Sequence, residues 1–175
     1  MGLQPFEAVV AAHHAEIYRY LMRVTSRSGE ADDLSQETFL RAYRAWEGLD
    51  QDANVRAWLF TIATNLARNY FRSESRRRRA YAGAWDAHSD VDPASPEEER
   101  RFHETRALVE RVVDGLPVKQ RLAFILRKLH DLEYDAIGRS LSCSPESARA
   151  HVFQALKKIR LGLNGHPLPT MESVR

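Results

Sequence analysis

Two stretches of this 175-residue chain place side chains where they could act on another molecule. Over residues 55–72, Trp58, Leu59, Ile62, Ala63, Leu66 and Tyr70 recur at helical spacing and define an inward stripe. Stepping about 100° per residue from Ile62, the opposite face presents Phe60, Thr61, Thr64, Arg68, Phe71 and Arg72, with Asn65 on its flank. Aromatic rings stack on unpaired bases, guanidiniums neutralise phosphates, and small polar groups read base edges, so this face suits single-stranded DNA. The alternative, that Phe60 and Phe71 pack on a neighbouring helix and the arginines are solvated, stays open. Arg76, Arg77, Arg78 and Arg79 follow directly and favour a phosphate partner.

The second stretch reads as a helix-turn-helix. Tyr134, Ile137 and Leu141 face inward on a short helix over 133–141, and Gly138 permits close approach of the next element. Ser142, Cys143 and Ser144 form the turn, and Ser144-Pro145 is a helix N-cap followed by proline at the first helical position. In the next helix Ala148, Val152, Ala155, Leu156, Ile159 and Leu163 make the inner stripe. Glu146, Ala150, Phe153, Gln154 and Lys157 lie opposite, flanked by Arg149, His151, Lys158 and Arg160. A second helix of this kind enters the major groove. Arg149 suits a guanine, Gln154 an adenine, Phe153 a thymine methyl, and Lys157, Lys158 and Arg160 suit phosphates. A helical hairpin with a solvated basic face is the alternative.

Nothing in the chain assembles a catalytic centre. No spacing orders its Ser, His and Asp residues as a triad, and no glycine-rich phosphate loop is present. His13 and His14 are consecutive and cannot share a helical face. Cys143 and His151 lack further ligands, and a single cysteine makes no disulfide within the chain. The expectation is a non-enzyme with no metal and no cofactor.

The elements that must position these faces are helical throughout. Six or seven helices and no strand are expected, beginning with one opened by Pro5 that carries Phe6, Val9, Val10, His13, Ile17, Leu21 and Val24. A second starts near Glu30 and turns Ala31, Phe39, Ala42, Tyr43 and Trp46 inward. A third covers 55–72. Past Pro96 come helices over 96–114, 118–129, 133–141 and 145–163. The net charge of +2 divides into +2 over 1–79, −5 over 80–115 and +5 over 116–175, which puts basic ends around an acidic centre. The fold class is all-α: two small helical domains, 1–79 and 96–163, joined by a flexible acidic linker at 80–95 and followed by a loose tail at 164–175. No apolar run reaches the ~20 residues that span a bilayer, and no basic segment followed by an apolar one opens the chain. A cytoplasmic chain without membrane contact is expected.

Asp32-Asp33-Leu34-Ser35-Gln36-Glu37-Thr38-Phe39 through Trp46, then Arg56-Ala57-Trp58-Leu59-Phe60-Thr61-Ile62-Ala63-Thr64-Asn65, then Leu116-Pro117 with Gln120-Arg121 and the helix-turn-helix, resemble bacterial RNA polymerase sigma factors. The likeness is to the extracytoplasmic-function group, which keeps only the second and fourth domains, and it covers about 5–163. It implies transcription initiation, with core RNA polymerase and promoter DNA as partners. Asp33, Gln36, Glu37, Leu40, Arg41 and Arg44 would dock on the β′ clamp helices, and the β flap would be a further polymerase contact.

Asn65 and Phe60 would hold a flipped minus-ten base with the loop at 49–55, while Arg68 and Arg72 hold the strand. Thr61, Thr64 and Phe71 complete that face. Arg149, Ala150, Phe153, Gln154 and Lys157 would read the minus-thirty-five element. Ala150 stands where the family often has a small hydroxyl residue and Gln154 where it often has a basic one, so the promoter sequence does not carry over. The resemblance adds an anti-sigma factor as a partner type. Competing readings are a stand-alone helix-turn-helix regulator and a helical adaptor that binds no DNA.

Overall fold

The computed structural model describes residues 5–80 and 97–164, with side chains throughout except at 97–105. The linker expected at 80–95, save Ala80, and the tail at 164–175, save Asn164, lie outside the described residues. Among these residues the elements are α1 (Phe6–Thr25), α2 (Ser28–Ala45), a 3-10 turn (Trp46–Gly48), α3 (Val55–Ala80), α4 (Glu97–Asp114), α5 (Val118–Lys128), α6 (Tyr134–Leu141) and α7 (Pro145–Leu163). No helix among them is long and apolar enough to cross a membrane.

Local chemistry sets most of the boundaries. Pro5 precedes α1, and Ser26 stops it in the left-handed region at φ 57°, its N–H donating to the Met22 carbonyl. That turn is so short that α2 begins at Ser28, two residues before the expected start near Glu30. Asn54 caps α3 by accepting from the Ala57 N–H at 2.9 Å. The expected end of α3 at Arg72 is passed: residues 73–80 contain neither Gly nor Pro, and arginine is a good helix former, so the helix runs 26 residues to Ala80.

In the C-terminal half, Ser144 Oγ accepts from the Ser147 N–H at 3.1 Å and Pro145 takes the first position of α7, as the sequence predicts. The α6–α7 turn closes tightly over Gly138, where a Cβ would meet the Cys143 carbonyl oxygen at 2.7 Å.

The inner stripes build one continuous core rather than two isolated ones. Val9, Ile17, Leu21 and Val24 pack with Ala31, Phe39, Leu59 and Ala63, and the same cluster continues into Leu122, Ile125, Ile137 and Leu141. Helices α1 and α3 carry the seam between the halves, packing on α5 and α6, while α7 closes on α4, α5 and α6. Two residues expected inside lie outward: Tyr43 on α2 is 62% exposed, and Leu156 on α7 is 37% exposed.

Candidate nucleic-acid and polymerase interfaces

The α3 face expected to stand open is covered, by Tyr20 of α1 on one side and by the C-terminal half on the other. Phe60 is fully buried, packed edge-on to Tyr20 with ring centroids 5.2 Å apart and against His130 at 4.9 Å. Thr64 is equally buried, its hydroxyl paired with the Tyr20 hydroxyl at 2.8 Å. Thr61 bonds the Ala57 carbonyl and, across the seam, the Ser140 hydroxyl, each at 3.0 Å. Arg68 donates to Ser142 Oγ at 3.2 Å, and the Arg121 guanidinium lies 4.4 Å over the half-buried Phe71 ring.

The expectation of water-facing aromatics is therefore corrected. Phe60 and Phe71 pack on neighbours, and the polar groups among them are satisfied by cross-helix hydrogen bonds, which removes the penalty of burying them. Asn65 and Arg72 alone of the seven remain exposed.

A three-residue ionic cluster fastens the same seam. The Glu16 carboxylate on α1 receives Arg56 of α3 through Nε at 3.0 Å and through Nη2, and it meets His130 Nδ1 at 3.3 Å. Arg56 Nη2 also donates to the His130 carbonyl at 2.7 Å. The Arg56 hydrogen bond is the main cause holding the Glu16 carboxyl below its ordinary value, against an opposing push from burial. Burial drives the His130 imidazole below its ordinary value, with Glu16 opposing and Arg56 and Arg19 adding to the shift. Burial likewise raises the Tyr20 phenol, so it stays protonated as the partner of Thr64.

The outward face of α2 is open. Asp33, Gln36, Leu40, Arg41 and Arg44 are exposed, Leu40 at 44%, and the half-buried Glu37 accepts from Arg41 Nε at 2.6 Å. Tyr43 extends this face, its ring edge-on to Phe6 at 5.4 Å. The sequence reading placed Tyr43 inward because it neighbours Ala42 and Phe39. Its position seven residues after Gln36, on the same line of the helix, was the signal that it belongs outside.

On α7 the expected reading face is free. Arg149, Ala150, Phe153, Gln154 and Lys157 are all exposed, Phe153 at 64%. The Arg149 guanidinium rests 5.0 Å over the Tyr134 ring of α6, which restrains it at the start of the second helix. A hydrogen bond from its own backbone N–H, and after it one from the Ser144 hydroxyl, holds the exposed Glu146 carboxyl below its usual range.

Sequence models of two families match the two halves: Sigma-70 region 2 over residues 9–77, and Sigma-70, region 4 over residues 106–159. The chain is 30% identical over 164 residues to the ECF RNA polymerase sigma-E factor of Escherichia coli (strain K12), covering 82% of each protein. It is also 30% identical over 161 residues to the RNA polymerase sigma-H factor of Pseudomonas aeruginosa, covering 88% of this chain and 83% of that one.

Among solved structures, the fold resembles the sigma factor RpoE in complex with the anti-sigma factor NepR from Bartonella quintana. The TM-score is 0.73 at 20% identity, over 94% of this chain and 100% of that one. It also resembles CnrH in complex with the cytosolic domain of CnrY, with a TM-score of 0.68 at 20% identity over 93% and 89% of the two chains. The two sigma regions in this order, together with relatives matched over most of their length, establish that the chain belongs to the extracytoplasmic-function group of RNA polymerase sigma factors.

Proposed function

We propose that this chain gives core RNA polymerase its promoter specificity through three surfaces: α2 for the enzyme, α3 for the minus-ten strand and α7 for the minus-thirty-five duplex. The domain division at 1–79 and 96–163 would separate the first two surfaces from the third, and the Sigma-70 region matches at 9–77 and 106–159 support it. RNA synthesis belongs to the polymerase, so the chain acts where that enzyme is, in the cytoplasm.

One observation carries the reading. The α2 stripe of Asp33, Gln36, Leu40 and Arg44 stays open with Tyr43 at its end, while the α3 face beside it is covered. An exposed leucine and tyrosine ringed by charges is the composition of a protein interface anchor. Asn65 then stands exposed at the edge of the covered face, its Oδ1 accepting from Arg68 Nη1 at 3.5 Å, where its amide would read an extracted base. Thr61, Arg68 and Phe71 become available to DNA only when the C-terminal half moves off α3, while Phe60 and Thr64 are held in addition by Tyr20 of α1. The described arrangement is on this reading a closed form, and polymerase binding or DNA opens it. The Bartonella quintana RpoE relative is described with the anti-sigma factor NepR; an anti-sigma factor that holds this chain closed would be its inhibitor.

The docking face is tested by Glu37→Ala with Leu40→Ala in the full chain. Affinity for core polymerase should fall about tenfold or more, as expected when an interface anchor worth over ~1.4 kcal/mol is removed, with the chain's affinity for minus-thirty-five duplex unchanged. Unaltered polymerase binding would remove α2 from the interface.

A further inference from the structure

We infer that Tyr134 is a positioning residue for base reading: its ring presets the Arg149 guanidinium near the head of α7 and thereby sets the specificity at one base pair of the minus-thirty-five element. The inference rests on the sigma-factor reading above and on α7 as the helix that enters the groove. Tyr134 is the first residue of α6 and Arg149 lies near the start of α7, and the packing of the two helices brings them into contact.

The Arg149 guanidinium carbon lies 5.0 Å from the centroid of the Tyr134 ring. Among the described residues Arg149 makes no ion pair; the Glu146 carboxylate on the preceding turn feels its charge without forming one. What holds this exposed side chain is the half-buried ring, itself packed against the core. Arg127 braces the same ring, its guanidinium carbon also at 5.0 Å. That arginine is fixed in turn, donating through Nη1 to the Leu132 carbonyl at 3.0 Å and to Glu133 at 3.3 Å. Glu133 thus compensates the Arg127 charge, whereas no ion pair compensates that of Arg149.

A ring attracts a guanidinium through its π face and occupies none of the N–H donors, so the fork that matches guanine O6 and N7 remains available. A free arginine side chain loses much rotamer freedom when it docks on a base, and a ring that already holds it removes part of that cost. The gain is realised only where the arginine meets its directed acceptors. The ring therefore adds to discrimination and not to general attraction for phosphate.

The test measures binding of the full chain to a duplex library randomised across the minus-thirty-five window, scored base pair by base pair. Arg149→Ala identifies the base pair concerned. Tyr134→Leu should lower the preference there about threefold to tenfold, as expected when a partly exposed cation–π contact is removed. Preferences elsewhere in the window and the circular dichroism should be unchanged; if Tyr134→Leu unfolds α6, Tyr134→Met takes its place. Tyr134→Phe keeps the ring and should keep the preference. In the Arg149→Ala background, Tyr134→Leu should change nothing further at that position.

The inference is overturned if Tyr134→Leu leaves the preference intact or if the losses from positions 134 and 149 simply add. It is overturned equally if Tyr134→Phe loses as much as Tyr134→Leu, which would make the hydroxyl a phosphate contact. Uniform weakening on every sequence by Arg149→Ala also overturns it, and takes base reading away from Arg149. A wild-type chain that supports no promoter-specific transcription would defeat the sigma-factor reading instead, whatever the library shows.

Discussion

Glu16 meets a guanidinium and a buried imidazole, and the imidazole makes the seam sensitive to pH at one residue. His130 lies between Tyr20, Phe60 and the Arg56 and Arg19 side chains, and burial disfavours its protonated form. Its imidazole in the closed form lies below the ordinary value near 6.5 that it would regain in solvent. Closed and open forms therefore bind the proton equally little only well above pH 6.5. Below that value the open form takes it up first and closure weakens. Glu16, itself depressed, keeps its contribution through this window and loses it only as the pH falls through its lowered value.

A pair of dyes, one on each half, should thus report separation as the pH drops from about 7.5 to about 5.5. His130→Gln should flatten the response, and a wild-type signal independent of pH would contradict the assignment. None of this was legible in the sequence. Glu16, Arg56 and His130 lie on three separate elements, and their meeting depends on how the halves dock.

At the scale of elements, the helix-turn-helix was the most legible part of the chain, because its signals are local. Ser144-Pro145 announces the start of α7, and Gly138 marks where the turn presses on α6. Gly138→Ala tests that pressure directly. The new methyl meets the Cys143 carbonyl at 2.7 Å. Overpacking of this kind costs about 1–3 kcal/mol, against roughly 1 kcal/mol returned by alanine's helix propensity. A net loss in the urea midpoint is expected, and a stabilised variant would mean that the turn relaxes freely.

Arg149, poised over Tyr134 at the head of the same helix, should read one base pair. Arg149→Ala should erase discrimination at one minus-thirty-five position at a cost of ~1–3 kcal/mol. Equal weakening on every sequence would make Arg149 a phosphate contact. Helix α3 was legible on one side only. Its inner stripe obeys the helical period, but the side that meets α1 and the C-terminal half is built from Phe60, Thr61, Thr64 and Arg68, types that also suit a surface. What makes them interior is their partners Tyr20, Ser140 and Ser142, more than forty positions away in each case.

For the whole molecule, the near-neutral total conceals a division of labour. The basic faces at the end of α3 and on α7 stand open, the α2 face proposed for polymerase stands open, and the α3 face proposed for the strand is shut beneath α1 and the C-terminal half. The all-α class and the order of the two sigma regions could be read from helical spacing and from the Asp33-Leu34 and Leu116-Pro117 motifs. The docking of one half on the other could not, because a seam made of hydroxyls, one ion cluster and scattered rings leaves no periodic trace.

Whether this chain confers promoter specificity on core polymerase is decided by run-off transcription. Purified core enzyme is supplied with a promoter library, with and without the full chain. Discrete transcripts from a limited set of promoters should appear only when the chain is added. A transcript pattern unchanged by the chain would contradict that role.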